Sequence, residues 1–251
     1  MQLRILADGS SYEVVESKTL DRLDRVTETE HYLFRYAADS LAAREIGAIA
    51  DEQEQAYATL MALFGYGLPE KIEYLLTASA EENGAVLGEL FGGEAAYPTN
   101  GCSIGPKYVF AAYNEQVKCV GCHEVTHLFS YVLCLPKSQL LSEGLAMYTD
   151  GAFWGKPNGQ WVKEFLTSGR YIPIPELISD ESFFAHPSEI TYPIAGAFVA
   201  FLIEKLGAKR FLDEVYRSDL PLLENLGQCL VIEEDQVEAA FQAAVLAGET
   251  A

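Results

Sequence analysis

His123-Glu-Val-Thr-His127 is an HExxH motif, and the pattern around it predicts a helix over residues 115–134. Within a helix, a spacing of four residues places both imidazoles on one face, where they can chelate a single zinc ion. Glu124 lies about 100° round the helix from His123. It therefore flanks the metal without ligating it, and it can accept the proton of a zinc-bound water. Alone, the motif is suggestive only.

Glu143 supplies the third ligand expected of such a site. From His127 the helix runs about eight residues to Leu135, or roughly 12 Å, and a second helix predicted over 138–149 returns about six residues, or roughly 9 Å. An antiparallel hairpin therefore brings Glu143 level with His127. Two histidines, one glutamate and an open fourth position are typical of catalytic zinc. The sequence thus predicts a Zn²⁺ centre held by His123, His127 and Glu143.

Strand patterns lie mainly before residue 115 and helical patterns mainly after it. Strands are predicted at 31–36, 71–77 and 107–113; helices at about 40–64, 80–90, 190–206, 208–217 and 233–247; and turns or loops at 92–106 and 155–159. Asp39 or Ser40 is expected to cap the first long helix, which ends at Phe64. We therefore expect an α+β fold with an N-terminal mixed sheet. Residues 1–134 would form a lobe ending in the HExxH helix, residues 135–251 a mostly helical lobe, and the two together one catalytic domain.

Composition limits the partners and the compartment. The formal charge is −20, from 37 acidic and 17 basic residues, which disfavours nucleic acid and anionic membrane surfaces as partners. The excess carboxylates either keep the protein soluble or attract cationic substrates. The start of the sequence lacks a signal-peptide pattern, no stretch approaches about 20 apolar residues, and five cysteines are an odd set. A cytoplasmic location is expected, although a trimmed secreted chain would look the same.

A second stretch carries a resemblance to a known family. HExxH followed by Leu141-Ser-Glu-Gly-Leu-Ala-Met-Tyr148 resembles the gluzincin zinc metallopeptidases, closest to their peptidase MA-like domains. Tyr192-Pro-Ile-Ala-Gly-Ala-Phe-Val-Ala-Phe-Leu-Ile-Glu-Lys-Leu-Gly207 is similar to the segment that follows the zinc site in aminopeptidase N-type enzymes. The resemblance covers roughly residues 30–217. It implies a zincin-like fold with the active-site helix between two lobes, Glu143 as a ligand, and Tyr192 as the oxyanion donor.

Several features depart from that family. The 15 residues between His127 and Glu143 form a shorter spacer than in aminopeptidase N-type enzymes, and their Gly-x-Met-Glu-Asn segment is missing. Removal of single amino-terminal residues is therefore not implied. Met147 stands where thermolysin-type enzymes carry an aspartate, which leaves Asp150 as the candidate partner for the imidazoles. Tyr148 and His186 remain alternative oxyanion donors to Tyr192.

The cysteines and one predicted strand can each be interpreted in more than one way. Cys119-Val-Gly-Cys-His123 matches the CxxCH haem-attachment signature, but it shares its histidine with HExxH. Cys119 and Cys122 are expected to be buried thiols, with a redox pair as the alternative, and Cys134 and Cys229 to lie in the core. The loop at 92–106 with the strand at 107–113 could bind an extended peptide by strand addition, or could be an ordinary sheet edge.

The expected activity is hydrolysis of peptide bonds in a peptide or protein substrate. Glu124 would act as general base towards a zinc-activated water and then protonate the leaving amine, while Tyr192 would stabilise the oxyanion. Two other functions share most of these features. One is a non-catalytic binding module with a zincin fold, and the other is a zinc hydrolase of a non-peptide amide or ester.

Overall fold

The computed structural model describes residues 2–6, 12–91 and 97–249. The chain divides into two compact units, Met1–Val132 and Leu133–Ala251. Strands are concentrated in the first unit and helices in the second, so the predicted α+β class is confirmed. Each unit is described separately below.

A mixed sheet forms the centre of the first unit. Its strands are β3 (Arg25–Glu28), β4 (Tyr32–Tyr36), β5 (Ile72–Thr77), β6 (Gly101–Ile104) and β7 (Tyr108–Ala112). Their order is β3-β4-β5-β7-β6, with β4, β5 and β7 parallel and the two outer strands antiparallel to their neighbours. All five residues of β7 are buried, which is typical of an inner parallel strand. The expectation that the strand at 107–113 forms a sheet edge is therefore wrong, because β6 lies outside it in the described part of the chain. A separate antiparallel pair joins β1 (Gln2–Leu6) to β2 (Tyr12–Glu16).

Two helices pack beside this sheet. Helix α1 (Leu41–Phe64) begins at Ser40, whose hydroxyl accepts the N–H of Ala43, so the alternative cap Asp39 is not used. It ends at Gly65, which adopts the left-handed conformation that favours glycine. Helix α2 covers Ala80–Phe91. The strands predicted at 31–36, 71–77 and 107–113 and the helices at 40–64 and 80–90 are therefore confirmed to within two residues.

Two further expectations for the first unit are wrong. The helix predicted from residue 115 begins at His123 instead, as α3 (His123–Leu133). Asn114 is the reason, because its side-chain oxygen accepts the N–H groups of Gln116 and Val117 and turns the chain back along β7. The predicted loop 92–106 contains β6, whose antiparallel pairing with β7 a four-residue pattern does not reveal. Residues 92–96 of that loop lie outside the described residues.

The second unit is mostly helical. Its helices are α4 (Gln139–Asp150), α5 (Asn158–Ser168), α6 (Ile174–Leu177), α7 (Asp180–Ala185), α8 (Ser188–Leu206), α9 (Ala208–Arg210), α10 (Leu222–Leu230) and α11 (Val237–Ala247). A π-helical segment, Phe211–Tyr216, continues α9. The predicted helices at 138–149, 190–206, 208–217 and 233–247 are present, while α5, α6, α7 and α10 lacked individual predictions.

Helix α8 is the core of this unit. Its residues from Pro193 to Ile203 are all buried, and α4 and α5 pack against it. A helix that is apolar on all sides is stable only when other elements surround it. Among the described residues no single helix is long and apolar enough to cross a membrane, and the one pair that qualifies when joined, Ser188–Leu206 with Ala208–Tyr216, is bent by 113°.

A tight hairpin follows α4. Strands β8 (Ala152–Phe153) and β9 (Lys156–Pro157) pair antiparallel across Trp154 and Gly155, both of which have positive φ. Two successive positive φ values are the requirement of the hairpin turn whose twist matches the flanking strands. The turn predicted at 155–159 is therefore shorter and earlier than expected: it consists of Trp154 and Gly155, because Lys156–Pro157 forms β9 and α5 begins at Asn158.

Candidate metal centre

Three of the predicted side chains come together in the structure. One ligand atom from each of His123, His127 and Glu143 can be chosen so that all three lie within 4.8 Å of one another. His127 is buried, and the other two are half-buried. This cluster, which we call the His-His-Glu cluster, could hold a metal ion.

The two imidazoles lie one turn apart at the start of α3. Their ring centroids are 5.2 Å apart and the ring planes are inclined by 78°. The residues from Glu124 to Ser130 are all buried, so the middle of the helix is enclosed by protein. An enclosed helix holds its side chains in few rotamers, which favours a preformed ligand pair.

Helix α3 is anchored in the first unit through Phe129. The Phe129 ring lies against Tyr57, Phe64 and Tyr66, with centroid distances of 5.2, 5.4 and 5.9 Å. The hydroxyl of Tyr66 also donates to the carbonyl oxygen of Phe129 at 2.6 Å. This aromatic group therefore fixes the position of α3 two residues after the ligand His127.

Glu143 is held by the close packing of α4 against α8. A Cβ atom at the neighbouring Gly144 would lie 2.6 Å from Cγ2 of Val199 and 2.7 Å from the carbonyl oxygen of Ala195. Only glycine permits the backbones to approach this closely at that point. The position of the Glu143 backbone therefore depends on the residue that follows it.

The predicted base, Glu124, is buried with a relative exposure of 8%. The hydroxyl of Ser103 donates towards its Oε2 at 2.8 Å and towards its backbone oxygen at 2.7 Å. On the other side, a Cβ atom at Gly101 would collide with Oε1 of Glu124 and would lie 2.6 Å from Sγ of Cys119. Ser103 and Gly101 both belong to β6. Sequence reasoning missed them because β6 was taken for a loop.

The cysteines near α3 are thiols. All five cysteines in the described part of the chain are half-buried, whereas Cys119 and Cys122 were expected to be buried and Cys134 and Cys229 to lie in the core. Burial raises the pKa of Cys102 strongly, and the negative charge of Glu124 raises it further. Cys102 is consequently a neutral thiol at physiological pH.

The donor set of the cluster fits zinc. Tetrahedral zinc with bonds of about 2.0–2.2 Å separates its ligand atoms by about 3.5 Å, so small side-chain rotations suffice to bring all three atoms onto one ion. Two imidazole nitrogens and one carboxylate oxygen are ligands that zinc accepts. Haem attachment through CxxCH would instead require His123 as an axial ligand of the iron, and His123 would then no longer be available to this cluster.

The predicted oxyanion donors all lie in the second unit. Tyr192 is half-buried in α8, with its ring centroid 5.9 Å from that of Phe183. Tyr148 is half-buried near the end of α4, and His186 follows α7, with Nε2 lying 3.0 Å from a carboxylate oxygen of Glu176. Asp150, the candidate partner for the imidazoles, is exposed at the last position of α4. These four roles stay predictions.

Comparisons with protein-family models and with curated proteins identify no relative of this chain. No protein-family model matches the chain. A search of curated proteins likewise finds no significant match. The gluzincin resemblance therefore depends on the motifs themselves, together with the cluster that they form.

Proposed function

We propose that this protein is a zinc-dependent hydrolase and that its substrate is a peptide. The observation that carries the proposal is the His-His-Glu cluster, in which Glu143 follows the two histidines by 20 and 16 residues in the sequence. A buried carboxylate, Glu124, adjoins His123 on the same helix. A metal-dependent hydrolase needs at least metal ligands and a neighbouring general base.

A bound zinc ion would supply Lewis-acid activation of a water molecule and of the substrate carbonyl. Glu124 is the residue to accept the proton of that water and to return it to the leaving amine. Burial in a site with little water strengthens the interaction of its carboxylate with nearby charges. Enclosure of α3 also limits the access of bulk water to this proton.

The oxyanion role of Tyr192 is supported by its place on α8. Ala195, whose carbonyl approaches Gly144, lies three residues after Tyr192 and so shares a face of α8 with it. Gly144 in turn follows the ligand Glu143. A phenol donates a hydrogen bond without changing its charge at neutral pH, which suits the stabilisation of a developing oxyanion.

The preference for peptides is supported by β6. In the described part of the chain this strand forms one edge of the mixed sheet, and its Ser103 contacts Glu124. An exposed strand edge can bind an extended peptide through backbone hydrogen bonds. Such pairing would lay the peptide backbone beside the proposed base.

Cleavage of a mixed peptide library tests this function. We expect wild-type protein to cut peptides, a chelator to abolish cleavage, and added Zn²⁺ to restore it. Glu124→Gln should retain zinc but lose turnover by about 10²–10⁴-fold, because the base is removed and the ligands are kept. His123→Ala should lose zinc. Glu52→Gln, an exposed change on α1, is the matched control and should cleave like wild type.

Tyr192→Phe in the same assay should lower kcat by about 10²-fold, and Tyr148→Phe should change it little. Full activity of Glu124→Gln would show that the base is wrongly assigned. Zinc binding without cleavage of any peptide would favour a binding module, and cleavage of model esters alone would favour a non-peptide substrate.

A further inference from the structure

The hydroxyl of Ser103 makes an unusual pair of contacts with a single residue. It lies 2.8 Å from Oε2 of Glu124 and 2.7 Å from the backbone oxygen of the same residue. A hydroxyl carries one proton, so the two acceptors share it. The bond to the backbone oxygen anchors the first turn of α3. The bond to Oε2 adds nothing to the helix, but it orients the carboxylate.

Strand β6 gives Ser103 little freedom to move. Cys102 and Ile104, which alternate with it along the strand, point to the opposite face and pack against the hydrophobic core of the first unit. The chain that enters β6 is also held, because the buried amide of Asn83 donates to the carbonyl oxygens of Thr99 and Asn100 at 3.0 and 3.2 Å. The strand therefore holds the Ser103 hydroxyl in a fixed position beside Glu124.

Gly101 completes the same strand face two residues earlier. A side chain at this position would occupy the space of Oε1 of Glu124, as the collision of a Cβ atom with that oxygen indicates. Ser103 thus bonds one carboxylate oxygen, and Gly101 leaves room for the other. Without these two constraints, a glutamate side chain has several staggered rotamers available to it.

We propose that Ser103 is a positioning residue for the general base: its hydroxyl holds the Glu124 carboxylate in one rotamer, beside the metal ligands of the same helix. Gly101 provides the space that this rotamer needs. The inference rests on the proposed function, because it assigns a catalytic purpose to this contact. A base held in place reacts faster than one that must first find its orientation.

Steady-state kinetics of Ser103 variants test the proposal. We expect Ser103→Ala to lower kcat by about 10-fold or more while KM and zinc affinity stay within about twofold of wild type. Ser103→Thr keeps the hydroxyl and should restore most of the activity. In the Glu124→Gln background, Ser103→Ala should have little further effect, because the group that it positions is no longer a base.

Ser17→Ala provides a matched control. Ser17 is buried and its hydroxyl donates to Oε2 of Glu89 at 2.6 Å, which repeats the serine–glutamate contact away from the metal ligands. This variant should lower thermal stability and leave kcat unchanged. An unchanged kcat in Ser103→Ala, or a kcat loss that Ser103→Thr does not rescue, would overturn the positioning role.

A readout in metal-free protein separates this inference from the proposed function. Ser103→Ala should lower Tm by about 2–4 °C in otherwise wild-type protein, and by less when Glu124 is already alanine, because the side-chain bond is then absent. Equal Tm losses in both backgrounds would mean that Ser103 does not hold the carboxylate. If the Tm losses differ but no peptide or ester is cleaved, the contact stands and the proposed function fails.

Gly101→Ala offers an independent test should Ser103→Ala fold poorly. Its added methyl group would be too close to both the Glu124 carboxylate and the Cys119 thiol, so the carboxylate must move. We expect a fall in kcat of about 10-fold with zinc still bound, since neither imidazole is touched. Wild-type kcat in this variant would contradict the proposal.

Discussion

Single glycines decide where the candidate ligands lie. Gly144, next to Glu143, and Gly196 both occupy positions where α4 and α8 approach each other; a Cβ atom at Gly196 would lie 2.7 Å from Cβ of Met147. Neither glycine has a positive φ, so the requirement is one of space rather than of backbone conformation. The sequence places Gly144 in the Ser-Glu-Gly segment, but the reason for it appears only in the packed helices.

Gly144→Ala should destabilise the protein by about 1–3 kcal/mol and weaken zinc binding, because α4 must move away from α8 and carries Glu143 with it. Thermal unfolding and zinc titration would measure the two effects. Gly47→Ala is the control with the opposite expected sign: Gly47 is exposed within α1 and a Cβ atom there meets nothing within 4 Å. It should stabilise the helix by about 0.5–1 kcal/mol. Normal zinc affinity in Gly144→Ala would argue against this coupling.

At the scale of elements, ion pairs and hydrogen bonds join strands to helices. His31, just before β4, donates its backbone N–H to Oε1 of Glu54 on α1 at 2.9 Å, and its Nδ1 lies 2.6 Å from Oε2. The His31 ring stacks on Tyr57 one turn further along α1, with centroids 3.8 Å apart. This contact fixes α1 against the start of β4 and thereby supports the aromatic group around Phe129.

The His31–Glu54 contact should depend on pH. Burial raises the pKa of Glu54, but hydrogen bonds from His31 and Thr29 outweigh it, so the pKa lies below its ordinary value of 4.5. The ionised carboxylate therefore stabilises the fold above about pH 4.5, and this stability is lost as the pH falls through the lowered pKa. Glu54→Gln should cost about 1 kcal/mol at pH 7, since the pair is partly exposed.

Denaturant unfolding at several pH values would measure this difference. The deficit of Glu54→Gln relative to wild type should shrink as the pH falls below about 4.5, because wild type then loses the same charge. Glu52→Gln, which is exposed on the same helix, should show no deficit at any pH. A deficit that stays constant down to pH 3 would mean that packing, not charge, stabilises this contact.

Charge governs the behaviour of the whole molecule. A net charge of −20 on 251 residues produces self-repulsion that a compact state must tolerate. The ion pairs of the surface, such as Arg210 with Glu214, lie in solvent and contribute little each. We therefore expect repulsion between surface carboxylates to outweigh the local attractions.

Salt should consequently stabilise this protein. Raising the ionic strength from about 0.02 M to about 0.5 M shortens the screening length to a few ångströms, which should raise Tm by several degrees at neutral pH. Scanning calorimetry in NaCl would measure the slope. Glu52→Lys, which changes the net charge from −20 to −18, should reduce that slope slightly. A Tm that falls with salt would indicate that attractive pairs dominate.

Local patterns determined helices α1, α2, α4 and α8 and the candidate ligand residues. Helical periodicity and capping are properties of neighbouring residues, so α1 with a cap at Asp39 or Ser40 could be predicted from sequence, as could α4 and the candidate ligand Glu143. The structure selects Ser40 as the cap. The i, i+4 spacing of His123 and His127 needs no information beyond the helix itself. The α+β order followed from the same local patterns.

Tertiary structure alone decided that β6 is a strand and that Ser103 contacts Glu124. Each of these depends on groups distant in sequence, because a strand is stabilised by a partner strand and a buried carboxylate by whatever packs against it. The four residues of β6 carry too little pattern to indicate that pairing. The candidate ligands and the proposed base could therefore be identified in the sequence, whereas the contacts that hold the Glu124 carboxylate are a property of the folded molecule.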